Sequence, residues 1–76
     1  MANEQEQKQT SKQVFEKACR NIATIAELPE DEVHDEESCK KALERIFAHG
    51  SPHDVARATF EAGEAAAAHV QMMTDR

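Results

Sequence analysis

From Val14 onward the apolar positions recur at intervals of three and four: Val14, Phe15, Ala18, Cys19, Ile22, Ile25 and Ala26. That spacing returns side chains to one face of a 3.6-residue helix, so it predicts an amphipathic helix over 11–28. Thr10 and Gln13 stand at the two ends of a capping box, in which the Thr hydroxyl takes one free N–H of the first turn and the Gln side chain returns to another. Pro29 stops the helix, because the residue before a proline is pushed out of the helical region. The same period reappears at Cys39, Ala42, Leu43, Ile46 and Phe47, predicting a second helix over 36–49. Asp35 is its expected N-cap, and Glu36 and Glu37 suit the positive end of the helix dipole. Gly50 is expected to take the left-handed position that closes it. Ser51-Pro52-His53-Asp54 then has the form of a helix start, with Ser as cap and proline at the first position, where its missing N–H costs nothing.

The third helix is predicted over 52–74, roughly 33 Å long at 1.5 Å per residue. Its stripe is mostly alanine (Ala56, Ala58, Ala62, Ala65, Ala66, Ala67, Ala68), with Val55, Phe60, Val70, Met72 and Met73 as the large anchors. Gly63 inside it costs about 1 kcal/mol relative to alanine and is expected to mark a close backbone approach. Ala58, Ala62, Gly63, Ala66, Val70 and Met73 form the expected seam, a ridge of small side chains flanked by adaptable ones. It would meet either the other two helices or a second copy of the chain. Neither strand alternation nor a hairpin turn appears. The expected fold is all-α, a small three-helix bundle with a long Ala-rich C-terminal helix and a candidate homodimer. Residues 1–9, rich in Gln and Glu, are expected to be a disordered tail, and 10–76 a single helical domain.

A chain of 76 residues is one domain, and a domain of this size buries only about 60% of its unfolded surface. With three Phe, no Trp and no Tyr, the core is thin, and self-association is the supplement best supported by the sequence. Cys19 and Cys39 fall on apolar helical positions, where a free thiol behaves as a small hydrophobe. Their spacing alone does not decide whether they pair. Residues 1–13 contain no apolar signal-peptide core, and no stretch approaches the roughly 18 apolar residues of a membrane span. The expectation is a soluble, cytoplasmic protein without a membrane partner.

Net charge is −6, unevenly placed: Glu27, Glu30, Asp31, Glu32, Asp35, Glu36 and Glu37 lie in one run without a Lys or Arg. Such a run repels nucleic acid and steers a basic protein surface towards it. Glu30, Asp31, Glu32, Asp35, Glu36 and Glu37 are therefore the expected partner-binding residues, and a larger protein with a basic surface the expected partner.

The remaining chemistry is sparse. His49 and His53 are four apart, but Gly50-Ser51-Pro52 interrupts the helix between them, so they lack the shared face of a paired-His metal motif. No metal and no cofactor are expected. Cys39 with His34 or His49, or Ser51 with His53, has no Gly-rich oxyanion motif beside it, so no catalytic residue is assigned and no enzyme expected. The step from 42–49 across Gly50 into a new helix has the length of a helix-turn-helix, whose second helix would offer Arg57 and Gln71 to DNA against Asp54, Glu61 and Glu64. A small dimeric regulator of this kind is the alternative to a protein-binding module.

Residues 14–38, through Val14, Ile22, Ile25, Leu28, Glu32, Val33 and Ser38, resemble the first helix and acidic loop of acyl carrier proteins. The Asp-Ser-Leu attachment motif of that family is absent, since Ser38 is followed by Cys39 and Ser51 by Pro52, so the likeness implies no phosphopantetheine. Size, acidity and lack of chemistry together resemble the small inhibitors that phages use against host machinery, such as anti-CRISPR proteins. The resulting expectation is a non-enzymatic inhibitor or adaptor that occupies a surface of a larger protein.

Overall fold

The structure, a computed structural model, describes residues 10–74. Within them the chain is all-helical, without strands: α1 spans Ser11–Ala26, α2 Glu36–His49 and α3 Pro52–Thr74, with a 3₁₀ turn at Glu30–Glu32 between α1 and α2. The predicted 1–9 tail lies outside the described residues.

Local chemistry sets the helix starts where the sequence places them. Thr10 Oγ1 accepts from the Gln13 N–H at 3.1 Å and Gln13 Oε1 accepts from the Thr10 N–H at 3.0 Å, completing the reciprocal box. Asp35 caps α2 in the same way, with Ser38 returning the second bond. Ser51 Oγ accepts from the Asp54 N–H at 3.1 Å to open α3.

The helix ends depart from expectation. α1 stops at Ala26 rather than 28, and its left-handed residue is Glu27, at φ 60°. The Glu27 N–H bonds to the Thr24 carbonyl and the Leu28 N–H to the Ala23 carbonyl. This is a Schellman closure, with a glutamate in the place usually held by glycine. Arg45 of α2 reinforces it, its Nε donating to the Ala26 carbonyl at 3.2 Å. Gly50, by contrast, is not left-handed: it is extended, at φ −79° and ψ 161°. Glycine is needed there for space, because a Cβ would stand 2.7 Å from the Ile46 carbonyl oxygen.

Phe15 of α1 meets His69 of α3, ring centroids 6.0 Å apart, while at the other end Ala26 lines one notch with Gly50 and Asp54. α1 and α3 are therefore antiparallel. α2 runs parallel to α1, because Cys39 near its start lines one groove with Phe15 and Arg45 near its end reaches Ala26. Parallel neighbours require the connector to fold back. Residues 27–35 do so along α1, pinned by buried Val33 and half-buried Leu28, and Val33 and His34 share a notch with Glu16, Cys19 and Arg20.

Ile22, with none of its surface exposed, is the centre of a core otherwise made largely of small side chains: Ala18, Cys19, Ala23, Ala26, Cys39, Ala42, Ala58, Ala65 and Ala68, with Phe15, Val33 and Ile46. The expected large anchors of α3 do not supply it. Phe60, Val70 and Met73 are exposed, as is Phe47 of α2, whereas Val55 and Met72 are half-buried. The reason is angular. Phe60 and Val70 each lie two residues beyond a buried alanine (Ala58, Ala68), about 200° around a helix with 3.6 residues per turn. Alanine faces α1 and lets the two helices pack closely, and the larger side chains stand exposed at the margins of that contact, Phe60 lining a notch with Val14, Ala18 and Asn21 of α1 and Val70 a groove with Leu43 of α2.

Candidate functional site

The connector carries the acidic run from Glu27, which lines a notch with Gly50 and Asp54, to Glu36 beside His69 at the other end of α1 and α3. Glu27, Glu30, Asp31, Glu32, Asp35, Glu36 and Glu37 are all exposed. Among the described residues only two of them have ion-pair partners, both histidines. Asp35 Oδ2 lies 3.6 Å from His34 Nδ1, and Glu36 Oε1 lies 3.9 Å from His69 Nε2. The 3₁₀ turn presents three consecutive carboxylates, Glu30, Asp31 and Glu32, in a single tight loop, which concentrates negative potential at its tip.

The seven carboxylates are not equivalent. Asp35 is engaged by its own helix: Oδ1 accepts from the Ser38 N–H at 2.8 Å and from the Ser38 hydroxyl at 2.7 Å. Those bonds, the backbone one foremost, hold its pKa below the usual carboxylate value. Ser38 Oγ in turn accepts from the His34 and Asp35 N–H groups. The serine nearest the acyl-carrier-like segment is thus committed to capping. Glu27, Glu30, Asp31, Glu32 and Glu37 have no ion-pair partner among the described residues.

The structure divides the small-residue seam. Ala58 is completely buried within the chain's own core and Ala62 is half-buried, while Gly63, Ala66, Val70 and Met73 face outward. A Cβ built on Gly63 meets nothing within 4 Å, so the close approach expected at this glycine does not occur inside the chain.

Between α2 and α3 the small side chains leave an open groove of about 300 Å³ that the sequence pattern does not announce. Leu43, Ala62, Ala66, Val70, Phe15 and His69 line it, together with Cys39. A periodicity argument places residues on a face but is silent on whether two faces meet. The second feature missed is that the two cysteines share one core. Both are free thiols, 2% and 6% exposed. Interaction between the two thiols first, and burial second, push the Cys19 thiol well up, while the same interaction draws Cys39 down from its ordinary 9.0.

Among the described residues no three His, Cys, Asp or Glu side chains are grouped to hold a metal ion, and no helix is long and apolar enough to cross a membrane. No family model matches the chain, and neither a curated protein nor a solved structure matches it.

Proposed function

We propose that this chain is a non-enzymatic acidic interaction module that works by occupying a basic surface of a larger protein. It would act as an inhibitor or adaptor of the kind phages direct at host machinery, anti-CRISPR proteins among them. The observation that carries the reading is the folded-back connector, where Glu27, Glu30, Asp31, Glu32 and Glu37 stand exposed without ion-pair partners among the described residues. Unneutralised carboxylates on an ordered backbone, three of them (Glu30, Asp31 and Glu32) on one turn, attract a basic surface at long range and lose little backbone freedom on contact.

Self-association is proposed for the outer face of α3. Phe60, Val70 and Met73 are exposed there beside Gly63 and Ala66, which would let a second helix come close. Ala58 takes no part, being buried, and Asp35 is placed with the caps rather than with the contact residues.

Charge reversal at Glu30, Asp31 and Glu32 to Lys tests the first proposal, with partner capture from host lysate as the readout. The wild-type chain is expected to retain a basic protein in a salt-sensitive manner, and the variant to lose it. Equal retention by both refutes the acidic contact. Salt-sensitive, sequence-specific duplex binding would instead favour the dimeric regulator. For the α3 face, light scattering at micromolar concentration is expected to show a dimer that Gly63→Leu disrupts. A monomer refutes the seam.

A further inference from the structure

Two seven-residue repeats run along α3 on different faces. Ala58, Ala65 and Met72 form one, the two alanines buried in the chain's own core and the methionine half-buried against it. The other passes through His53, Ala56, Phe60, Gly63, Ala67 and Val70 at alternating steps of three and four, and all six are exposed. At 3.6 residues per turn the centre of this second stripe lies roughly half a turn from the first. Alternating steps of three and four are the a and d positions of a coiled-coil heptad, the spacing at which one helix lays a continuous seam along another. Within the stripe Phe60, 66% exposed, stands out as a knob. Gly63, the next position, is a hole, because a Cβ there would meet nothing within 4 Å.

We propose that α3 of a second copy occupies this stripe in the antiparallel direction, with Phe60 of each chain seated on Gly63 of the other. The proposal rests on the self-association of α3 put forward above and adds its direction and register. Setting Phe60 on Gly63 in antiparallel helices also sets Ala56 against Ala67 and His53 against Val70. The six positions are thus matched to one another about a single twofold axis, as an isologous contact requires.

Charge selects this register. Arg57 and Glu64 follow Ala56 and Gly63 directly, so they take the flanking e position of the heptad. Both are exposed, and neither has an ion-pair partner among the described residues. Glu64 shares a notch with Lys17 of α1 without pairing with it. Two turns separate Arg57 from Glu64, about 10 Å along the axis, too far for a bond within one helix. In the proposed register Arg57 of each copy comes opposite Glu64 of the other, which gives two symmetric ion pairs. Sliding the helices until Phe60 meets Val70 brings Glu64 opposite Glu64 and Arg57 beside Gln71. A parallel pair stacks Phe60 on Phe60 and leaves Gly63 facing Gly63, with Glu64 beside Thr59 and Arg57 beside Pro52. Of these arrangements, the first alone pairs the charges and fills the glycine hole.

Analytical ultracentrifugation of the full chain tests the register through charge. Arg57→Glu and Glu64→Arg each put like charges at both pairs, so each should raise the dimer dissociation constant roughly tenfold at low salt, less at high salt. The double variant exchanges the charges and should restore the wild-type constant. In the shifted and parallel arrangements neither single substitution creates a new like-charge contact. Direction is read from Ala56→Cys/Ala67→Cys, oxidised while folded and peptide-mapped: disulfides between positions 56 and 67 of different chains are expected. All four positions are exposed, so the substitutions spare the core, and circular dichroism checks that each variant folds. Links of 56 to 56 and 67 to 67, or a dimer indifferent to both charge substitutions, overturn the antiparallel register while leaving self-association standing. A wild-type chain that stays monomeric overturns both.

Discussion

Glu27→Gly is expected to stabilise this protein while weakening the surface proposed for its partner. Glu27 is the sole non-glycine residue at positive φ among the described residues, at 60°. A side chain in that conformation costs roughly 1–2 kcal/mol through the clash of Cβ with the backbone. Glycine removes the clash but gains freedom in the unfolded chain, which offsets roughly 0.4–1 kcal/mol. The net gain is about 0.5–1 kcal/mol, or roughly 3–6 °C in thermal midpoint for a domain of this size. The two bonds that close the helix, from the Glu27 N–H to Thr24 and from the Leu28 N–H to Ala23, are backbone bonds and survive the change. Circular dichroism at 222 nm against temperature measures the shift. Glu27→Ala is the control, because it removes the same carboxylate but keeps Cβ, so it should recover little of the gain. The reasoning fails if Glu27→Gly melts at or below the wild type, or if Glu27→Ala gains as much. A stabilised Glu27→Gly chain that binds its partner less tightly would mean that the glutamate is held in an unfavourable backbone conformation for the sake of its charge.

The two glycines should respond oppositely to alanine. Gly50→Ala drives Cβ against the Ile46 carbonyl oxygen at 2.7 Å and should lower stability by about 1–3 kcal/mol, whereas Gly63→Ala meets open space and should raise it by about 0.5–1 kcal/mol; urea denaturation of both variants checks the contrast. Ile22→Ala, at the fully buried centre, should cost about 2–5 kcal/mol, enough to leave a domain this small substantially unfolded at 37 °C, and Ile22→Val should cost about 0.5–1.5 kcal/mol. Asp35 has its folded pKa below the ordinary 3.8, so its cap contributes stability above pH 3.8 that is lost as pH falls through the folded value. Asp35→Asn keeps an oxygen for the Ser38 N–H but does not titrate, so the gap in melting temperature between wild type and variant should narrow from pH 5 to pH 2; a constant gap refutes the assignment.

The three helices and their starts are legible in the sequence because they depend on neighbours within four residues. The Thr10–Gln13 box, the Asp35 cap and the Ser51 cap are all contacts of this short range, and the 3.6-residue period of α1 marks Phe15, Ala18, Cys19, Ile22 and Ala26 as one face. The helix ends were less legible. Gly50 carries the expected residue type for a left-handed cap, but its conformation is set by the space beside Ile46 and Asp54. Glu27 takes the left-handed place because Pro29 stops α1 and the chain must turn back along it. Of the candidate surface, the acidic run could be read directly from the sequence. Its division into free carboxylates and the engaged Asp35 could not, since that depends on how Ser38 sits in the first turn of α2.

The sequence by itself determined three helices, their caps and an uninterrupted acidic connector, because periodicity, capping and charge are local properties. Only the tertiary structure decided that α1 and α2 run parallel, that the connector therefore folds back along α1, and that Cys19 and Cys39 are buried in one core. It also decided which side of α3 is inside. A helical stripe of alanine with scattered Phe, Val and Met can pack through either face, and the choice turns on how closely its neighbour approaches. Here α3 buries Ala58, Ala65 and Ala68, and the longer side chains of Phe60, Val70 and Met73 are left exposed.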